Sequence, residues 1–143
     1  MKVVRLSDAE RDVFVGERRL GILSTLHPDG APFALPLWFG WDGTEVEMFS
    51  MRSAPKVTRL QHDPRSSLLV ANHPDETARW VLFEGDATIS EDGASATAAR
   101  LYDRYHPDAT EKQRARTLAS FDAADIVRVA IAPTRVVTYA ETF

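Results

Sequence analysis

The 143-residue chain contains no cysteine. That absence removes disulfides, thiolate zinc sites, iron–sulfur clusters and cysteine nucleophiles together, so the interior must hold itself by packing. Glycine is scarce, and the seven that occur form neither GxGxxG nor a Walker loop, which removes the usual nucleotide-cradling motifs. No apolar run approaches the roughly 20 residues of a membrane helix, and residues 1–8 have no signal-peptide core, so a cytoplasmic protein without a membrane partner is expected. A basic excess is missing as well: 17 Lys and Arg face 21 Asp and Glu, a net charge of −4. Nucleic acid is therefore not an expected partner. The four histidines, His27, His62, His73 and His106, sit in turn-like segments beside Pro or Asp without HExxH-type spacing. No metal site is expected from them.

What is present is the composition of one packed domain spanning residues 1–143, 44% hydrophobic and 27% charged. Ser7 followed three residues later by Glu10 has the form of a capping box, which opens a helix over 8–17. Residues 20–26 and 32–39 are apolar and β-compatible, and the turn sequence His27-Pro28-Asp29-Gly30 makes them a hairpin. After Asp42-Gly43, residues 45–50 alternate and complete an expected three-stranded meander. Pro55 suits a first helical turn, so a short helix over 56–61 is expected, followed by a strand over 66–72. Residues 79–90 alternate cleanly, with Val81, Phe83, Gly85, Ala87 and Ile89 on one face. Helices over 94–105 and 111–121 follow, then a closing strand over 126–139 that Pro133 interrupts. Six strands with few helices point to a mainly β, antiparallel barrel with peripheral helices, since closing the sheet removes its edges.

Two segments stand out from this frame. Residues 50–56 place Ser50, Ser53, Arg52 and Lys56 between the end of a strand and the start of a helix. Hydroxyls, cations and helix-start amides are what a phosphate needs; the alternative is a solvated loop whose cations pair with nearby acids. Pro36-Leu37-Trp38-Phe39 and Arg79-Trp80, with Phe33, Trp41, Phe49 and Phe83, put a heavy aromatic load on the strands. It serves either core packing or the covering of a neighbouring subunit or a planar ligand.

Residues 19–26 (RLGILSTL), 29–32 (DGAP), 36–39 (PLWF), 56–65 (KVTRLQHDPR) and 79–87 (RWVLFEGDA), in that order, resemble the pyridoxamine 5'-phosphate oxidase-like superfamily. More narrowly, they resemble its flavin/deazaflavin oxidoreductases from actinobacteria. The resemblance runs from about residue 7 to 90 and more weakly to the end. It implies a split β-barrel homodimer of the FMN-binding type, with two cofactors in grooves between the subunits. It further implies that the strand of Pro36, Leu37, Trp38 and Phe39 runs along the isoalloxazine-type ring, with Trp80 nearby. Ser50, Met51, Arg52 and Lys56 match the positions holding the phosphate-bearing tail, and Arg59 continues that basic stretch. No side chain need be a nucleophile; Arg79 is the candidate for holding an anionic acceptor. The ending Tyr139-Ala140-Glu141-Thr142-Phe143 lacks the arginine-containing substrate motif of true pyridoxamine phosphate oxidases, so pyridoxamine phosphate is not the expected substrate. The deazaflavin F420 is the expected cofactor, because Arg52, Lys56 and Arg59 offer its oligoglutamate tail a basic exit that FMN would not require. The activity implied is hydride transfer from F420 to a small electron-poor organic or tetrapyrrole-type acceptor. The alternatives are an FMN-dependent pyridoxamine-phosphate-oxidase-like reductase and a non-catalytic flavin- or haem-binding protein.

Overall fold

The computed structural model describes residues 1–143. In chain order it contains β1 (Lys2–Val4), α1 (Asp8–Gly16), β2 (Gly21–Leu26), β3 (Pro32–Leu37), β4 (Gly40–Trp41), β5 (Val46–Met51) and α2 (Pro55–His62). There follow β6 (Arg65–Ala71), β7 (Arg79–Ser90), α3 (Ala94–Tyr105), α4 (Glu111–Ala123), β8 (Ile126–Ile131) and β9 (Arg135–Thr142). Every strand pairing is antiparallel. The sheet curls into a half-barrel with four helices, the expected split barrel. No helix is long and apolar enough to cross a membrane.

Local signals set several elements. Ser7 Oγ accepts from the Glu10 amide while the Glu10 carboxylate accepts from the Ser7 amide, which satisfies donors that the start of α1 would otherwise leave free. The β2–β3 hairpin forms around Gly30, whose φ of +87° suits a residue without Cβ.

The expected meander does not form. β3 pairs only with β2, β2 pairs onward with β6, and β5 lies between β4 and β8. The strand expected over 32–39 ends at Leu37, because Trp38 and Phe39 turn out of it and the Phe39 ring becomes fully buried. β3 is thereby left as an edge, so the sheet curls without closing. There are nine strands, not six: β1 and β4 are too short to show an alternation, and the closing strand is two. β8 and β9 share one side of the long β7, β9 along Arg79–Glu84 and β8 along Ala87–Ser90. Gly85 sits at the changeover, where a Cβ would lie 2.9 Å from the Ala132 carbonyl oxygen. The absence of a side chain there lets the β8–β9 corner pass close over β7.

The concave side holds the core: Phe14 and Val15 from α1 and Leu60 from α2 pack with Leu23, Phe39, Met48, Leu68, Phe83 and Ile131. α3 and α4 cover the far face of β5 and β8, where Ala94 and Ala98 meet Ile126, Phe49 and Phe121. α2 packs on β2 and β7 from the concave side, where Leu60 joins the core, and leaves the outer face of β2, β6, β7 and β9 free of it. There Pro36, Ile22, Leu69, Leu82 and Val137 stand in register as one apolar row.

Candidate functional site

Charge compensation separates the basic residues of segment 50–59. Eight of the arginines form carboxylate ion pairs, and Arg52 is among them. Its Nε lies 3.0 Å from Asp125 and its Nη2 2.7 Å from Glu91, while its amide donates to the Asp125 carbonyl. Arg52 thus ties the end of β5 to the α4–β8 connection. Ser50 is buried and its hydroxyl donates to the Met51 carbonyl; Met51 itself is exposed.

Lys56 and Arg59, one turn apart on α2, have no carboxylate within ion-pair distance. Burial, and then the nearby charge of Arg59, holds the Lys56 ammonium below the usual lysine range. Two cations kept together without a counter-ion favour an arriving anion. Arg59 is fixed in place: its Nε donates to the buried Thr25 hydroxyl at 2.7 Å, and its guanidinium carbon lies 4.2 Å from the centre of the Phe33 ring. The edge of the His27 ring meets the same Phe33 at 5.3 Å. A cavity of about 450 Å³ opens beside Arg59, lined also by His27, Pro28, Ser53, Pro55, Thr58 and His62, and no carboxylate faces it.

Thr25 also borders a hydroxyl-rich hollow of about 250 Å³, with Ser24, Ser66 and Ser67 on its walls beside Arg65 and Glu84. Hydroxyls on adjacent strands suit a polyol or a phosphate oxygen. Sequence reasoning passed over these serines and dismissed the histidines. The alternation in GILSTL puts Ser24 on the outer face, but the register that brings Ser67 beside it is set by strand pairing.

The aromatic segment divides. Pro36 stays exposed on the β3 edge and Leu37 is half-buried. The Trp38 ring stacks on Tyr105 of α3 at 5.1 Å, with His106 edge-on at 5.3 Å, and Phe39 is core. Trp41 packs on Phe83 and Phe49 on Phe121, so most of the aromatic load is internal packing. The exceptions are Phe33, 38% exposed, and Trp80, which stacks on Tyr139 at 5.5 Å on the outer face of the sheet. Arg79 points the other way. Its guanidinium lies 5.0 Å from the Phe14 ring, and it lines a separate cavity of about 440 Å³ with Glu10 and Glu141.

The structure therefore brings Lys56, Arg59 and the β2–β3 edge together, and assigns Arg52 to a structural ion pair and Arg79 to a different cavity of the same chain. A half-buried uncompensated lysine, a guanidinium with its terminal amines unclaimed, hydroxyls and an exposed apolar strand edge fit a planar cofactor with a phosphate-bearing tail.

The sequence profile of the pyridoxamine 5'-phosphate oxidase family matches residues 7–137. The chain is 29% identical over 130 residues to an F420H(2)-dependent biliverdin reductase of Mycobacterium tuberculosis, covering 85% of this chain and 93% of that protein. A solved structure of a conserved hypothetical protein from the same organism superposes with a TM-score of 0.81 at 28% identity, over 94% of this chain and 85% of that one. Another, described as an F420 reductase, does so at 0.70 and 26% identity, over 87% and 94% respectively.

Proposed function

The chain belongs to the pyridoxamine 5'-phosphate oxidase family, and we propose that it is an F420-dependent reductase acting on an electron-poor organic acceptor of tetrapyrrole type. The observation that carries this reading is the uncompensated pair Lys56 and Arg59 beside an exposed apolar strand edge, on a chain whose net charge is −4. The relative that acts on biliverdin and the F420 reductase neighbour support it.

In this proposal Lys56 holds the phosphate and Arg59 the anionic groups beyond it, each through charge-assisted hydrogen bonds. Pro36 and Leu37 on the β3 edge, with the backbone of Trp38 and Phe39, line one side of the ring. The Trp38 ring, clamped by Tyr105, fixes the bend that presents this edge. A deazaflavin held there would supply hydride, with the accompanying proton drawn from solvent. The chain contributes position and charge rather than a nucleophile. Arg79 lies in a different cavity of the same chain, so it reaches an acidic group of the acceptor only across the groove, from a second copy of the chain.

The groove is completed by a second copy of the chain. The row Pro36, Ile22, Leu69, Leu82 and Val137, with the Trp80–Tyr139 stack, is an apolar sheet face that no helix of the same chain covers. A self-complementary face of this kind gives a two-fold dimer.

Equilibrium titration of the purified protein with F420, FMN and haem in parallel tests the cofactor assignment, read by cofactor fluorescence or absorbance. The expected order is F420 tightest at physiological ionic strength. Tighter FMN binding replaces the reading with an FMN-dependent reductase. Haem binding without either flavin replaces it with a non-catalytic carrier.

A further inference from the structure

Between the α1–β2 connection and the α3–α4 connection lies a cavity of about 440 Å³ that the cofactor reading does not use. Two charges of opposite sign face it, Arg18 from the first connection and Asp108 from the second. Neither forms an ion pair with the other or with any other side chain. Tyr102 on the cavity wall is only 6% exposed, and its hydroxyl makes no hydrogen bond in the chain without being sealed from solvent. A buried hydroxyl in that state takes its partner from whatever enters the cavity. Gln113 accepts through Oε1 from the Thr110 amide, which leaves its NH2 group free to donate. The walls are held before any ligand arrives. Tyr105, stacked on Trp38, donates its hydroxyl to the Arg19 carbonyl, and Arg104 Nη2 donates to the Val15 and Glu17 carbonyls at 2.9 Å, so the two connections are tied together on both sides of Arg18.

We propose that this cavity binds a free α-amino acid: its carboxylate on Arg18, its ammonium on Asp108, and a hydrogen-bond-accepting side chain such as that of glutamine on the Tyr102 hydroxyl and the Gln113 NH2 group. A simple anion would meet the Asp108 charge and a simple cation the Arg18 charge, whereas a zwitterion satisfies both. The planar fork of an arginine with no other partner matches the two oxygens of an α-carboxylate. Beyond the two charges, the Tyr102 hydroxyl and the Gln113 NH2 group both donate, so a side chain that accepts fits better than an apolar one. The cavity shares no residue with Lys56, Arg59 or the hollow beside α2, so the proposal stands whichever cofactor the protein takes.

Isothermal titration calorimetry of the full-length protein with three matched probes tests it: L-glutamine, 4-aminobutanamide, which lacks the α-carboxylate, and glutaramate, which lacks the α-ammonium. The native protein is expected to bind L-glutamine about tenfold more tightly than either analogue. Arg18→Gln should abolish the preference over 4-aminobutanamide, and Asp108→Asn the preference over glutaramate; both residues are exposed and unpaired, so the fold is retained. Tyr102→Phe should weaken L-glutamine binding about fivefold or more without lowering the melting temperature, because the hydroxyl has no partner in the chain to lose. Absence of binding at millimolar L-glutamine overturns the proposal. Glutaramate binding as tightly as L-glutamine also overturns it, by making the cavity a plain anion site. Native preferences that survive in both charge variants do the same, and so does a Tyr102→Phe protein that binds like the native one.

Discussion

Replacing Lys56 with Met separates a ligand-binding cation from a structural one, because the two roles predict opposite changes in stability. Met keeps the apolar length of the side chain and removes only the ammonium. That ammonium forms no carboxylate ion pair, and burial together with the Arg59 charge lowers its pKa from the ordinary value. For a base whose folded pKa lies below its unfolded one, the unfolded chain binds more protons between the two values, so stability rises with pH across that window. Below it, neutral pH included, the charged lysine is a standing cost to the folded state. The Lys56→Met protein should therefore melt at the native temperature or above it at pH 7, and the gap should close as the solution becomes strongly alkaline. Binding moves the other way. A charge-assisted hydrogen bond to phosphate contributes about 1.5–3 kcal/mol, so F420 affinity should fall about 10- to 150-fold. Differential scanning fluorimetry without ligand and fluorescence titration with F420 measure the two effects. A clear drop in melting temperature, or an unchanged dissociation constant, refutes the assignment of Lys56 to the phosphate.

Three further outcomes follow from other contacts. Gly85→Ala pushes a methyl to 2.9 Å from the Ala132 carbonyl oxygen and 3.2 Å from the Ile131 side chain; urea unfolding should show a loss of about 1–3 kcal/mol, and a neutral result would mean that the β8–β9 corner shifts freely. The Glu47 carboxylate accepts from Arg100 at 2.7 and 2.9 Å and from Arg128 and Thr97, and the Arg100 hydrogen bonds are the first cause of its lowered pKa. Because its folded pKa is depressed, its contribution is present above the ordinary carboxylate value and lost as pH falls through the lowered one. Glu47→Gln should cost about 1–3 kcal/mol at pH 7, with the difference from native protein narrowing in acid; a constant difference across that range contradicts the ion-pair account. Leu82→Glu places a charge in the middle of the uncovered apolar row and should convert a dimer to a folded 15.9 kDa species in light scattering; a dimer that survives the substitution locates the subunit contact elsewhere.

Whatever depends on near neighbours in the chain was legible in the sequence. The Ser7–Glu10 capping box, the hairpin turn at residues 27–30, the alternation of β7 and the bounds of α3 at Ala94 and Tyr105 follow from periodicity and turn chemistry over a few residues. The order of motifs also carried the family and its fold. The partners of those segments were not legible. β1 is three residues long and exists because β9, at the other end of the chain, pairs with it. Trp38 looks in sequence like part of a flat apolar wall, and Tyr105 on a distant helix turns its ring away from the strand. The cation-bearing segment 50–59 shows the limit most plainly. Arg52 and Lys56 are equivalent cations in the sequence, four residues apart. Asp125 and Glu91, each far along the chain, neutralise the first and leave the second alone. Residue types determined that a cation-rich turn would stand at the start of α2. Which of its charges remains free for a ligand was decided by the tertiary structure, because electrostatic compensation acts over a few ångströms of space whatever the distance along the chain.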